Sequence, residues 1–96
     1  MTKRLAIACA QLNPTVGDLS GNAALACEAR EEAKIGKADL VLFPELFISG
    51  YPPEDLVLKP AFVDASMEAV ADLAKATSDG GPALIVGTPW GENGKV

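Results

Sequence analysis

The sequence predicts an α/β fold in which a parallel sheet is laid down in the order β-α-β-α-β. Three observations lead there. Short apolar runs at residues 5–12, 39–43 and 83–88 are each bounded by Pro, Gly or Asn, the punctuation expected of strands. Between them lie two stretches of helical periodicity rich in strong helix formers. Alternation of this kind requires crossover connections, which are right-handed and make neighbouring strands parallel.

The first run, residues 5–12, is nearly continuous in apolar residues and stops at Asn13-Pro14, with Gly17 and Asp18 forming the turn that follows. Asp18 or Ser20 can cap the next helix, residues 19–37. In that helix the small residues Ala23, Ala26, Cys27 and Ala33 permit close approach to a sheet, while Glu28, Glu31, Glu32 and Lys34 are available to water. Gly36 is placed to be the left-handed residue past its end, and Lys34 and Lys37 suit the negative end of its dipole. The second strand, residues 39–43, carries Leu40, Val41, Leu42 and Phe43 without a break, the pattern of a parallel strand covered on both faces.

Pro44 ends that strand, because it has no N–H for a ladder and disfavours helix in the residue before it. The loop Ser49-Gly50-Tyr51-Pro52-Pro53 has restricted backbone freedom, with Gly50 permitting a positive φ. Pro53, Glu54 and Asp55 open a short helix and Pro60 a longer one. In the latter, Val63, Met67, Val70, Leu73 and Ala74 recur on one face and Asp64, Glu68, Asp72 and Lys75 on the other. Gly80-Gly81-Pro82 then leads into the third strand, residues 83–88, centred on the β-branched Ile85 and Val86. Asn93-Gly94 is a hairpin signal that predicts an antiparallel fourth strand. The sequence reaches Val96 before such a strand is complete, so residues 1–96 are expected to be an incomplete domain.

Composition narrows the function. A chain of 96 residues forms one small domain at most and buries roughly two-thirds of its unfolded surface. With 49% hydrophobic but only 5% aromatic residues, its interior is built from Ala, Leu, Val and Ile. A net charge of -5 without a basic cluster argues against a nucleic-acid partner, which needs Lys and Arg gathered on one face. Two cysteines, Cys9 and Cys27, are too few for a disulfide scaffold and read as buried reduced thiols. Lys3 and Arg4 ahead of Leu5 to Ala10 resemble a signal-peptide start, but the apolar run is too short, and no segment approaches the ~20 apolar residues of a membrane span. A cytoplasmic protein with no membrane association is expected.

Chemistry centres on Glu45. It directly follows Pro44 at the end of a parallel strand, where open α/β sheets hold their ligands, and it precedes Leu46, Phe47 and Ile48. A carboxylate set among apolar groups is penalised as an anion and becomes a better proton acceptor, as a general base must be. The alternative is a loop glutamate that pairs with a lysine or caps a turn. Tyr51, held between Gly50 and two prolines, is either a rigid pocket wall or loop packing. Cys9 and Cys27 read as core, Trp90 as a packing residue or subunit contact, and Asp64, Glu68 and Asp72 as a solvated helix face. No metal site is expected, and no phosphate-cradling glycine motif is present.

Three segments together resemble a known family. Ala10-Gln11-Leu12-Asn13-Pro14 with Gly17-Asp18, the run DLVLFPE ending at Glu45, and Ser49-Gly50-Tyr51-Pro52-Pro53-Glu54-Asp55-Leu56 are similar to the N-terminal glutaminase domains of glutamine-dependent NAD+ synthetases, in the nitrilase (carbon-nitrogen hydrolase) superfamily. The first two occur across nitrilase-like amidases; the third points to the synthetase branch. The resemblance implies that the chain is the N-terminal β-α-β-α-β part of an αββα sandwich with a Glu-Lys-Cys triad. Glu45 then matches the general base and Tyr51 a tyrosine of the substrate pocket wall. The family's lysine and nucleophilic cysteine, and its ATP-dependent synthetase domain, lie beyond Val96.

The implied substrate here is glutamine, with no cofactor in this part. ATP and Mg2+ would serve the absent domain, which amidates nicotinic acid adenine dinucleotide to NAD+. Full-length protein is expected to be a homo-oligomer, and the 96-residue chain to be inactive alone. A stand-alone nitrilase-superfamily amidase is the nearest alternative. A non-catalytic α/β interaction module, in which Glu45 pairs with Lys59 or caps a turn, is the alternative from another class.

Overall fold

Residues 4–92 are described by the computed structural model; the Asn93-Gly94 turn and the strand expected after it lie outside the described residues. Three short strands, β1 (Ile7–Cys9), β2 (Leu40–Leu42) and β3 (Ala83–Ile85), alternate with α1 (Leu19–Ile35) and α2 (Pro60–Ala76), and a 3₁₀ turn (Glu54–Leu58) precedes α2. The β1–β2 and β2–β3 pairings are both parallel, in the order β1-β2-β3. The β-α-β-α-β order is therefore the observed one. The ladders are shorter than the apolar runs because β2 sits between the other two strands and Pro44 limits it, so its partners have little to pair with beyond Leu42. Single bonds carry the pairing slightly further, from Ala10 N to Leu42 O at 2.9 Å and from Phe43 N to Ile85 O at 3.0 Å.

Register divides the sheet into two faces. Ala8, Val41 and Leu84 align across the strands and belong with the core, whose buried members are Ala26, Val41, Phe43, Phe47, Ile48 and Leu73. Two successive right-handed crossovers that advance in one direction put both helices on this face, where α1 packs against both β2 and α2. The second face carries Cys9, Leu42 and Ile85 in one row, all exposed, with Ile7 exposed beside them. Two expectations are corrected here. β2 is covered on one face only among the described residues, and Cys9 lies on the bare face rather than in the core, whereas Cys27 packs against the core.

The helix ends follow local chemistry. Asp18 caps α1, its Oδ1 accepting from Gly21 N at 3.0 Å. At the other end Ala38 N donates to Ala33 O at 2.9 Å and Lys37 N to Lys34 O at 3.0 Å, the paired bonds of a Schellman motif. Its left-handed residue is Lys37, with φ 63, and not Gly36, which the sequence favours for that position. In α2, Pro60 occupies the first turn as expected, Val63 and Leu73 are buried, and Asp64, Glu68, Asp72 and Lys75 are exposed. Ala74 is exposed, against expectation.

The buried stripe of α1 is Asn22, Ala26 and Arg30, spaced four apart, so two of its three buried residues are polar. Each is satisfied. Arg30 donates from Nε to Pro82 O at 2.8 Å and from Nη2 to Thr77 O at 3.3 Å, and its guanidinium forks onto the Asp79 carboxylate. That fork, joined by the Gly81 N–H, holds the Asp79 carboxyl well below its ordinary value, and in turn raises Arg30 above its own. No helix among the described residues is long and apolar enough to cross a membrane.

Candidate active site

Parallel strands deliver their ends to one edge, and the turn formed by residues 45–49 sits at the carboxyl edge just past β2. It begins with Glu45, directly after Pro44, and Leu46 follows with φ 49. A left-handed conformation is unfavourable for a β-carbon-bearing residue by roughly 1–2 kcal/mol and persists only where the surroundings enforce it. Those surroundings are visible on three sides. Beneath, Phe47 and Ile48 are fully buried, and the Phe47 ring meets Phe43 at a centroid distance of 4.9 Å and an angle of 47°.

On one flank, the segment after β3 presses close. Ile48 N donates to Gly87 O at 3.2 Å, and a β-carbon placed on Gly87 would stand 2.8 Å from Leu46 N. On the other flank lies the β1–α1 loop: Gly17 N donates to Ser49 O at 2.9 Å, and Gly50, with φ +79, rests against the backbone of Thr15 and Val16. Ser49 Oγ closes the turn internally on Leu46 O and Gly50 O, at 3.2 and 3.0 Å.

Asn22 ties the turn to the β1–α1 loop. Its Nδ2 donates to Thr15 O and Ile48 O, both at 2.8 Å, and its Oδ1 accepts from Thr15 N at 2.8 Å. The sequence reading passed over this residue. A signal was available, since Asn is a poor helix former and sits in the second turn of an otherwise Ala-rich helix, a place where its amide needs a reason.

The side chain of Glu45 is exposed. This corrects the expected apolar socket: Phe47 and Ile48 turn into the core beneath the carboxylate and do not enclose it. Among the described residues Glu45 takes part in no side-chain hydrogen bond or ion pair, and both ion pairs found there converge on Asp79, so the pairing with Lys59 is not made. Tyr51 follows at the same edge and is 60% exposed, so it does not pack the loop interior. Trp90 is half exposed. The structure thus brings Glu45 and Tyr51 to one edge, and leaves Cys9 on the bare sheet face and Cys27 beside the core. Among the described residues no three His, Cys, Asp or Glu side chains converge as a metal cage. The Arg30–Asp79 pair lies at the opposite edge, ahead of β3.

Comparison with known proteins gives concordant results. Residues 6–96 match the family model described as carbon-nitrogen hydrolase. A glutamine-dependent NAD(+) synthetase of Rhodobacter capsulatus is 51% identical over 90 residues, covering 94% of this chain and 16% of that protein. One from Thermotoga maritima is 44% identical over 85 residues, covering 88% of this chain and 15% of the relative. The crystal structure of a glutamine-dependent NAD(+) synthetase from Cytophaga hutchinsonii superposes with a TM-score of 0.84 at 30% identity, over 94% of this chain and 15% of that one. The chain thus spans about a sixth of the length of the relatives it matches.

Proposed function

The chain belongs to the carbon-nitrogen hydrolase family, and on that premise we propose that it supplies the general base of a glutaminase within a longer glutamine-dependent NAD+ synthetase. The observation that carries this reading is the Glu45 turn. A carboxylate with no partner among the described residues is held at the carboxyl edge of a parallel sheet by a left-handed Leu46 and contacts on three sides.

In this reading a cysteine and a lysine from outside the chain complete the site and enclose Glu45. The Glu45 carboxylate takes the thiol proton, and the thiolate adds to the side-chain amide carbon of glutamine while the lysine ammonium steadies the oxyanion. Protonated Glu45 returns the proton to the leaving nitrogen, and ammonia departs. Glu45, again a carboxylate, takes a proton from water, whose oxygen adds to the thioester, and passes that proton to the departing thiolate as glutamate is released. Tyr51 lines the glutamine pocket.

The ammonia passes to an ATP-dependent domain for amidation of nicotinic acid adenine dinucleotide. ATP and Mg2+ would serve that domain. The whole protein is proposed to work in the cytoplasm as a homo-oligomer.

The test is Glu45→Gln in the full-length protein. Glutamine-driven turnover should fall roughly 10²-fold, as removal of a general base does, while ammonia-driven NAD+ synthesis continues. Equal loss with both nitrogen donors would refute the assignment.

A further inference from the structure

We propose that Asn22 is a positioning residue for the Glu45 carboxylate, acting through the backbone of the 45–49 turn. The inference rests on the general-base reading of Glu45 above. Asn22 is 1% exposed and its amide is fully engaged, with two donated bonds and one accepted, all at 2.8 Å. Ile48, three residues past Glu45, is gripped at both polar atoms: its carbonyl by Asn22 and its N–H by Gly87 O. The peptide units from Glu45 to Ile48 therefore hang from a fixed point on α1, and the left-handed Leu46 lies between that point and the carboxylate.

Only a carboxamide offers two donors and an acceptor on one small planar group. Aspartate in its place would set carboxylate oxygen against the carbonyls of Thr15 and Ile48. Leucine would fill the volume, leave Thr15 N and Ile48 O without their partner, and leave Thr15 O with the Asp18 N–H alone. Either change frees the turn to shift, and a displacement of about 1 Å in a catalytic group costs on the order of 10²-fold in rate. A purely structural Asn22 would lower activity by the same factor whatever residue stands at 45. A positioning Asn22 has nothing to position once the base is gone, so its effect should vanish with Glu45.

The experiment is a double-mutant cycle in the full-length protein, read with glutamine and with ammonia as nitrogen donor. Asn22→Leu should lower glutamine-driven kcat by about 10-fold or more yet leave ammonia-driven synthesis within about twofold, and added to Glu45→Gln it should lower glutamine turnover by less than about twofold. Asn22→Asp carries the same cycle should the leucine variant fail to fold. Equal proportional losses in both backgrounds, or parallel loss with ammonia, would overturn the proposal. If Glu45→Gln alone left glutamine turnover intact, the general-base reading would fall with it, a result distinct from additive losses.

Discussion

Replacing Gly50 with alanine isolates how tightly the Glu45 turn is seated. A β-carbon at Gly50 would lie 2.5 Å from Val16 Cα, 2.7 Å from Val16 N and 2.9 Å from Thr15 C. Carbon atoms rest at roughly 3.5–4.0 Å, so the turn or the β1–α1 loop must retreat by about 1 Å. Movement of that size takes the 2.9 Å bond from Gly17 N to Ser49 O beyond hydrogen-bonding range, and loosens the 2.8 Å bond from Asn22 to Ile48 O. Each bond contributes about 1 kcal/mol net, and the left-handed φ of +79 adds about 1 kcal/mol more for alanine, giving roughly 3 kcal/mol.

Gly80 is the control. Its φ is +81, yet a β-carbon there meets nothing within 4 Å, so Gly80→Ala should cost only the conformational part, about 1 kcal/mol. Hydrogen exchange at the Gly17 amide in the full-length protein reads the difference. Exchange should accelerate by on the order of 10–10²-fold in Gly50→Ala and stay unchanged in Gly80→Ala, with glutamine-driven turnover falling only in the former. Equal Gly17 exchange in the two variants would show that the close approach carries no energy, and would remove the physical basis for a locked turn.

Two other outcomes are expected. Asp79 is held below its ordinary carboxyl value of 3.8 by Arg30, so its contribution to stability is intact above that value and is lost as pH falls through the depressed one. Acid unfolding of the wild type should therefore be steeper below about pH 4 than that of Asp79→Asn, and matching acid limbs would contradict the ion pair. Lys37 adopts φ 63 at the end of α1, where glycine has no β-carbon to strain. Lys37→Gly should gain about 0.5 kcal/mol, the relieved strain exceeding the added freedom of the unfolded chain; a lowered thermal midpoint would count against it.

Element order was legible in the sequence because apolar runs, helix periods and Pro or Gly stops all agree at residues 5–88. Strand lengths were less so: in the run 83–88 the residues 83–86 are all apolar, but pairing depends on how far β2 extends beside it. Glu45 was legible as a residue and misread in its setting. Its apolar sequence neighbours Phe47 and Ile48 serve the core beneath the turn, and sequence adjacency does not say on which side of a turn a side chain falls. Asn22 and Arg30 escaped because hydrophobic periodicity treats polar helix residues as solvent-facing, whereas both are buried and satisfied by distant backbone. The left-handed Lys37 escaped for a related reason: the adjacent Gly36 satisfies the usual preference one position too early.

The two polar anchors of α1 stand eight positions apart, about 12 Å along the helix, one hooked to each edge of the sheet. Their separation acts as a gauge. One residue inserted between them would rotate one anchor against the other by about 100° and slide it about 1.5 Å, so Asn22 and Arg30 could no longer engage together. The identities of the intervening residues are free to drift so long as they stay helical and small enough to pack. Their number is not.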